Sequence, residues 1–248
     1  MKTLSSLIIT IFFINHGVSG DVSHEIWDQL LKMYVTEHGV VNYEGFLKDK
    51  KKINEYLAYL NQNPPQDEWK THEKLAFWIN TYNAATVKLI VDNYPVQSIQ
   101  DLQPTLRIPF IYDVWHKEFF KIGGKDRSLD EVEHEILRKE FDEPRIHFAI
   151  NCASVSCPKL RNEAYIVEKL DKQLDAQTWY FINTKRYNQV LPHRIKISRI
   201  FLWFVGDFTK NGTLIDFLNK YSDVKIEENA KIEYLDYNWE LNNTLGDV

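Results

Sequence analysis

Arg145-Ile-His-Phe-Ala-Ile-Asn-Cys-Ala-Ser-Val-Ser-Cys-Pro-Lys-Leu160 holds both cysteines of the chain, with a histidine, an asparagine and two serines. Ile146, Phe148 and Ile150 alternate with His147, Ala149 and Asn151, a period of two that predicts a strand with two unlike faces. On that reading His147 and Asn151 share a face and lie ~13 Å apart, four residues at ~3.3 Å each. A bend after Asn151 then frees Cys152 to turn to either side. Pro158 suits the first position of a helix, which makes Cys157 a cap whose thiolate is favoured by unpaired backbone NH groups.

Outward from this stretch, the chain alternates helical and extended patterns. Trp27, Leu30, Leu31, Tyr34 and Val35 form a helical stripe between His24 and Glu37, and Phe46, Ile53, Tyr56, Leu57 and Leu60 predict a second helix from Glu44 to before Pro64-Pro65. Val40 to Tyr43 reads as a short strand or extended crossing. The third helix starts near Thr71 as N-cap and carries Leu75 to Val91 before Asn93-Tyr-Pro95 ends it. It is so apolar that it reads as buried nearly all round. Asn80 and Asn83 on it need partners, since an unpaired buried amide costs about 1 to 3 kcal/mol. They are either structural ties or donors lining a thiol site.

Ser98 to Trp115 reads as a surface excursion, and Lys117 to Ile122 with Gly123-Gly124 as a strand and turn. Ser128 with Glu131 matches a capping box, followed by a stripe of Leu129, Val132, Ile136 and Leu137. Glu133 falls inside that stripe as a partly buried carboxylate, whereas His134 and Arg138 lie on its polar side. Val167, Leu170, Leu174 and Phe181 mark a helix ending near Asn183, and Arg194 to Ser198 a strand. Ile200 to Phe208 crowds apolar side chains around Asp207. Thr213 to Tyr221 reads as a short helix, and Ile232 to Leu241 as a last strand. The fold class is therefore α+β: a single helix-rich domain with a small, mainly antiparallel sheet.

The chain has 248 residues, 44% hydrophobic and 26% charged, which disfavours disorder, and it has no linker or repeat that would divide it. A net charge of −5 argues against a nucleic-acid partner, because such a protein must neutralise phosphates. Lys2, the apolar run Leu4 to Ile14 and Val18-Ser-Gly20 read as a signal peptide over residues 1–20, leaving 21–248 as the globular domain. The run is too short to span a membrane, and no cysteine near the cleavage point offers a lipid attachment site. A secreted or periplasmic location follows, with no integral membrane segment after cleavage. In an oxidising compartment a Cys152–Cys157 disulfide competes with any thiol chemistry. Asn211-Gly-Thr and Asn242-Asn-Thr match the glycosylation acceptor pattern.

Ala76-Phe-Trp-Ile-Asn-Thr-Tyr-Asn83, Ser128 through Arg138, His147 through Pro158 and Tyr237-Asn-Trp-Glu-Leu-Asn242 together resemble the signature blocks of the DUF547 family. The resemblance spans nearly all of residues 21–248 and implies an exported, bacterial-type member of a family whose biochemical role is not established. Leu202 departs from it, being aliphatic where a polar residue is expected.

A cysteine nucleophile needs a base, a group that orients the base, and donors for the developing oxyanion. The candidates are Cys152 or Cys157 as nucleophile, His147 or His134 as base, and Asn151 or Glu133 as orienting group. Asn80, Asn83 and Arg138 are the substrate-binding candidates. A helix of aromatic and small residues beside a His-bearing strand is loosely similar to papain-like and transglutaminase-like folds. There, however, the nucleophile opens the central helix, and Thr71 to Leu75 contains no cysteine. C-x4-C is a poor match to zinc or dithiol-redox spacings, and no phosphate-loop or dinucleotide fingerprint is present. No cofactor is expected. Two functions follow: a thiol-dependent hydrolase or acyltransferase acting on a small-molecule or peptide ligand, or a non-catalytic binding or scaffold module pinned by the disulfide.

Overall fold

The computed structural model describes residues 22–104 and 113–244, so the signal-peptide run at 1–20 lies outside the described residues. Helix α1 (Glu25–Tyr34), α2 (Tyr43–Lys48), α3 (Lys50–Gln62) and the long α4 (Thr71–Asn93) come first. A hairpin of β1 (Phe120–Ile122) and β2 (Lys125–Arg127) follows, turned by Gly123 and Gly124, both at positive φ. Next come a π-helical stretch (Glu131–Leu137), which runs into α5 (Arg138–Glu140), and then α6 (Ile146–Ala149) and α7 (Leu170–Asn183). The last part holds β3 (Gln189–Leu191), β4 (Arg194–Ile197), α8 (Ile200–Trp203), α9 (Val205–Phe208), α10 (Leu214–Asn219) and β5 (Lys231–Tyr234). β4 sits between β3, to which it is antiparallel, and β5, to which it is parallel. The architecture is helix-rich α+β with small sheets. Among the described residues no helix is long and apolar enough to cross a membrane.

Two apolar clusters build the molecule. The larger surrounds α4, whose residues from Leu75 to Val87 are all buried, and takes in the stripes of α1, α2 and α3. The smaller is a phenylalanine cluster of Phe148, Phe181, Phe201, Phe208 and Phe217. α6 lies at their seam, since Ile146 and Ala149 belong to the first cluster and Phe148 to the second.

Several expectations are corrected here. The alternation at 146–151 is not a strand: four residues coil into α6 and only Ile150 returns to extended backbone. Apolar residues alternate there because the short helix is covered on both sides, so a period of two no longer separates a wet face from a dry one. No helix begins at Pro158; the next helical turn starts at Val167, so Cys157 caps nothing. The second helix is two, broken at Asp49, which closes α2 and opens α3. α4 begins one residue earlier than an N-cap at Thr71 implies: Lys70 occupies that place, and its backbone N–H donates to Glu73 Oε2 at 2.6 Å. The last strand stops at Tyr234, beyond which only Glu240 and Leu241 make isolated bridges, to Ser98 and Ser154.

Candidate functional site

The thiols are brought together by Asn151, whose side chain is wholly committed. Its Nδ2 donates to Pro158 O at 2.8 Å, tying the far end of the cysteine loop to its start. Its Oδ1 accepts from Ala153 N at 2.9 Å and from Asn242 Nδ2 at 3.1 Å. Ala153 is held at φ 62, the left-handed region, which costs a non-glycine residue roughly 1–2 kcal/mol. The tight turn places the two sulfurs 2.8 Å apart, with Cys152 N–H donating to Cys157 Sγ at 2.9 Å. Both are free thiols, and their separation exceeds the ~2.05 Å of a disulfide bond.

The two thiols are not equivalent. The hydrogen bond with Cys157 is the largest influence on Cys152 and lowers its pKa to about 7, against the opposing pull of burial. The hydroxyls of Tyr237 at 3.3 Å and Ser154 at 3.6 Å act in the same direction. Cys157 is the more buried partner, and burial pushes its thiol well above the ordinary range. Cys152 is thus the sulfur that carries charge near neutrality.

His147, on α6, donates from Nε2 to Asp207 Oδ2 at 2.7 Å and stacks on Phe204 with ring centroids 4.0 Å apart. Its Nδ1 is buried without a partner. Burial lowers the imidazole pKa, and Asp207 only partly offsets this. Burial would raise Asp207, but the hydrogen bonds from His147 and Arg138 override it and hold the carboxyl far below the usual range. The group that orients His147 is therefore Asp207, not Asn151 or Glu133.

Arg138 grips Asp207 with two prongs, Nε to Oδ2 at 2.6 Å and Nη2 to Oδ1 at 3.2 Å. Its Nη1 donates to His134 Nδ1 at 2.8 Å, and since guanidinium nitrogens only donate, His134 accepts there. The far nitrogen of His134 faces Asp130 at 3.6 Å, and His116 spans Asp130 at 3.5 Å and Asp113 at 2.7 Å. A continuous chain of seven ionisable side chains therefore runs from Asp113 to His147. Glu133 sits one residue from this chain and accepts from Tyr82 O–H at 3.1 Å. Burial raises its pKa more than His134 and Tyr82 lower it.

The π-helical stretch explains why Glu133, His134 and Arg138 converge. Arg138 N–H reaches back five residues to Glu133 O, and the wider turn brings side chains that a straight α-helix would spread around its circumference to one cavity. His134 and Arg138 thus line a pocket rather than an outer solvated face.

That cavity, about 490 Å³, is lined by Cys152, Cys157, Glu133, His134, Arg138 and His147. The same cavity is lined by the rings of Trp115, Trp203, Tyr237 and Trp239, packed at centroid distances from 4.5 to 6.1 Å. Among the described residues, no imidazole nitrogen hydrogen-bonds either sulfur. Among the described residues, no group of three or more His, Cys, Asp and Glu is arranged to hold a metal ion.

Three of the residues named from sequence do not line the cavity. Asn80 clasps the backbone of Tyr165 with both ends of its amide, at 2.8 and 3.0 Å. Asn83 does the same across α6, donating to Ala149 O at 2.9 Å and accepting from Asn151 N at 2.8 Å. Their donors are spent on the fold rather than offered to a ligand, and Asn151 is spent likewise. Asp207 and Tyr237 were missed as site residues. An aspartate alone among the large apolar side chains of 200–208 was the available signal for the first, since such a carboxylate must be paired.

No curated protein and no solved structure matches the chain. Residues 66–182 match the model of the family described as Protein of unknown function, DUF547, leaving Asp207, Tyr237, Trp203 and Trp239 beyond the matched part. The chain is thus similar to that family over α4, the π-helical stretch and the cysteine loop; the match supports the resemblance of those three sequence blocks, while the Tyr237 to Asn242 block lies beyond it.

Proposed function

We propose that the cavity is the active site of a thiol-dependent hydrolase or acyltransferase, with Cys152 as nucleophile. The observation that carries this reading is the asymmetry of the thiol pair: Cys152, its pKa lowered to about 7, opens on a cavity that also holds a buried carboxyl and an oriented imidazole. The thiolate of Cys152 adds to an acyl carbonyl carbon, and the leaving group departs with the proton of Glu133. Water or an acceptor then gives its proton to the Glu133 carboxylate and attacks the thioester, which releases the Cys152 thiolate and restores the acid. His147, held at Nε2 by Asp207, presents its Nδ1 lone pair to a substrate N–H or O–H. The N-terminal run supports reading the chain as an exported, secreted or periplasmic protein, with mature chains expected to start at Asp21.

Alkylation with iodoacetamide across pH, followed by mass spectrometry, tests the assignment. Cys152 is expected to react with a midpoint near pH 7 while Cys157 stays protected, and a carboxyl-activated ester should leave a thioester adduct on Cys152. Equal reactivity of the two thiols, or an adduct that survives Cys152→Ser, overturns it.

A second reading is favoured by the 2.8 Å sulfur separation: a binding or scaffold module in which the pair closes to a disulfide. Intact mass with and without reductant separates the two, since that reading requires the purified exported protein to contain no free thiol.

A further inference from the structure

We infer that the ligand of this cavity carries an ammonium group, seated between the aromatic wall and the carboxylates of Asp113 and Asp130. The inference rests on the reading of the cavity as the active site and names the class of substrate it takes. It follows from what the lining groups have left to offer. Arg138 is the cation among the described lining residues, and its guanidinium is already divided between Asp207 and His134. Tyr82 has given its hydroxyl to Glu133. Acceptor capacity and negative charge remain at the carboxylates of Asp113 and Asp130, which among the described residues meet imidazoles and backbone N–H groups, and at the Nδ1 of His147.

His147 is the independent sign of a ligand. It is 3% exposed, it lines the cavity, and its Nδ1 has no partner among the described residues. A buried acceptor left open costs about 1 to 3 kcal/mol, which a ligand N–H repays on binding. The aromatic lining has the complementary property. Trp115, Trp203, Tyr237 and Trp239 present electron-rich faces that attract a cation. Trp203, at 45% exposed, is open to solvent as well as to the cavity. A primary ammonium brings three N–H donors and one positive charge to a site of acceptors and rings. An anionic substrate would meet two carboxylates and a guanidinium already spoken for.

Calorimetric titration of the full chain at pH 7 and low ionic strength with benzylammonium, benzyl alcohol and benzoate, three probes of one shape and different charge, tests this. Benzylammonium should bind about tenfold or more tighter than benzyl alcohol, and benzoate weakest. Asp130→Asn should weaken the cation by about fivefold and leave benzyl alcohol unchanged, whereas Trp203→Ala should weaken the cation more than benzyl alcohol. Cys152→Ser, which removes the nucleophile, should keep the same order of the three probes, so a failure of the thiol chemistry does not touch this result. Benzyl alcohol binding as tightly as the cation, benzoate binding tighter, or no probe binding at all overturns the inference.

Discussion

At the scale of single residues, the site depends on which sulfur holds the charge. The largest cause of the lowered Cys152 pKa is its bond with Cys157. Cys157→Ala should therefore move the alkylation midpoint of Cys152 up from about 7 towards the ~8.5 of an ordinary thiol. Tyr237→Phe should move it the same way by less, because its hydroxyl stands 3.3 Å off and ranks below the Cys157 contact. Rates of iodoacetamide labelling against pH read both shifts, and a midpoint unmoved by Cys157→Ala would show that the second sulfur is a bystander. A residue far from the chemistry holds the same loop by shape alone. Gly39 has φ +82, and a Cβ there would lie 2.4 Å from Lys159 Cβ and 3.0 Å from its Cα. Gly39→Ala should cost about 2 kcal/mol or more in urea unfolding, combining left-handed strain with a backbone clash two residues from Cys157.

At the scale of elements, α4 is the scaffold and its two asparagines are the ties. Asn83→Ala strands Ala149 O and Asn151 N together, and two orphaned buried groups at about 1 to 3 kcal/mol each predict a loss of roughly 3 kcal/mol. Urea unfolding measures it, and a loss below ~1 kcal/mol would mean that water replaces the amide in the gap. Much of this element was legible in the sequence. Apolar residues on every side of a long run read directly as burial, and the paired polar groups as needing partners. Their partners were not legible, because both ends of each amide meet backbone that lies far away in the chain. α6 was misread for a related reason: a four-residue helix contains barely one period, so alternation and helical spacing cannot be told apart in it. The π-helical stretch hides in the same way, since one residue added to a turn leaves the capping and stripe signals intact while rotating everything after it. Glu133 could be placed as partly buried, yet nothing local showed that His134 and Arg138 would join it in one cavity.

At the scale of the whole molecule, stability should follow the histidines more closely than the many surface ion pairs. His24, whose Nδ1 meets Tyr56 O–H at 2.6 Å, has its pKa lowered by burial to about 4, and burial lowers His147 as well. An imidazole depressed in the folded state contributes stability in full above its unfolded value, ~6.5, and loses it as pH falls through the folded value. Below pH 6.5 the unfolded chain binds protons that the folded chain refuses, so unfolding gains ground. Asp207 works in the same direction at lower pH: its depressed carboxyl stabilises above ~3.9 and ceases to as acid reaches its folded value. Glu133 opposes them, since a raised carboxyl takes its proton in the folded state first and so stabilises towards acid. His24 alone, ~6.5 unfolded and about 4 folded, loses its contribution across this window, so the urea midpoint should fall between about pH 6.5 and 4.5. His24→Gln keeps a polar contact to Tyr56 without a titrating ring, and should flatten that fall while leaving the Cys152 labelling midpoint where it was. An urea midpoint that stays level across this window, or that falls as steeply in His24→Gln, would mean that the buried rings are not what acid acts on.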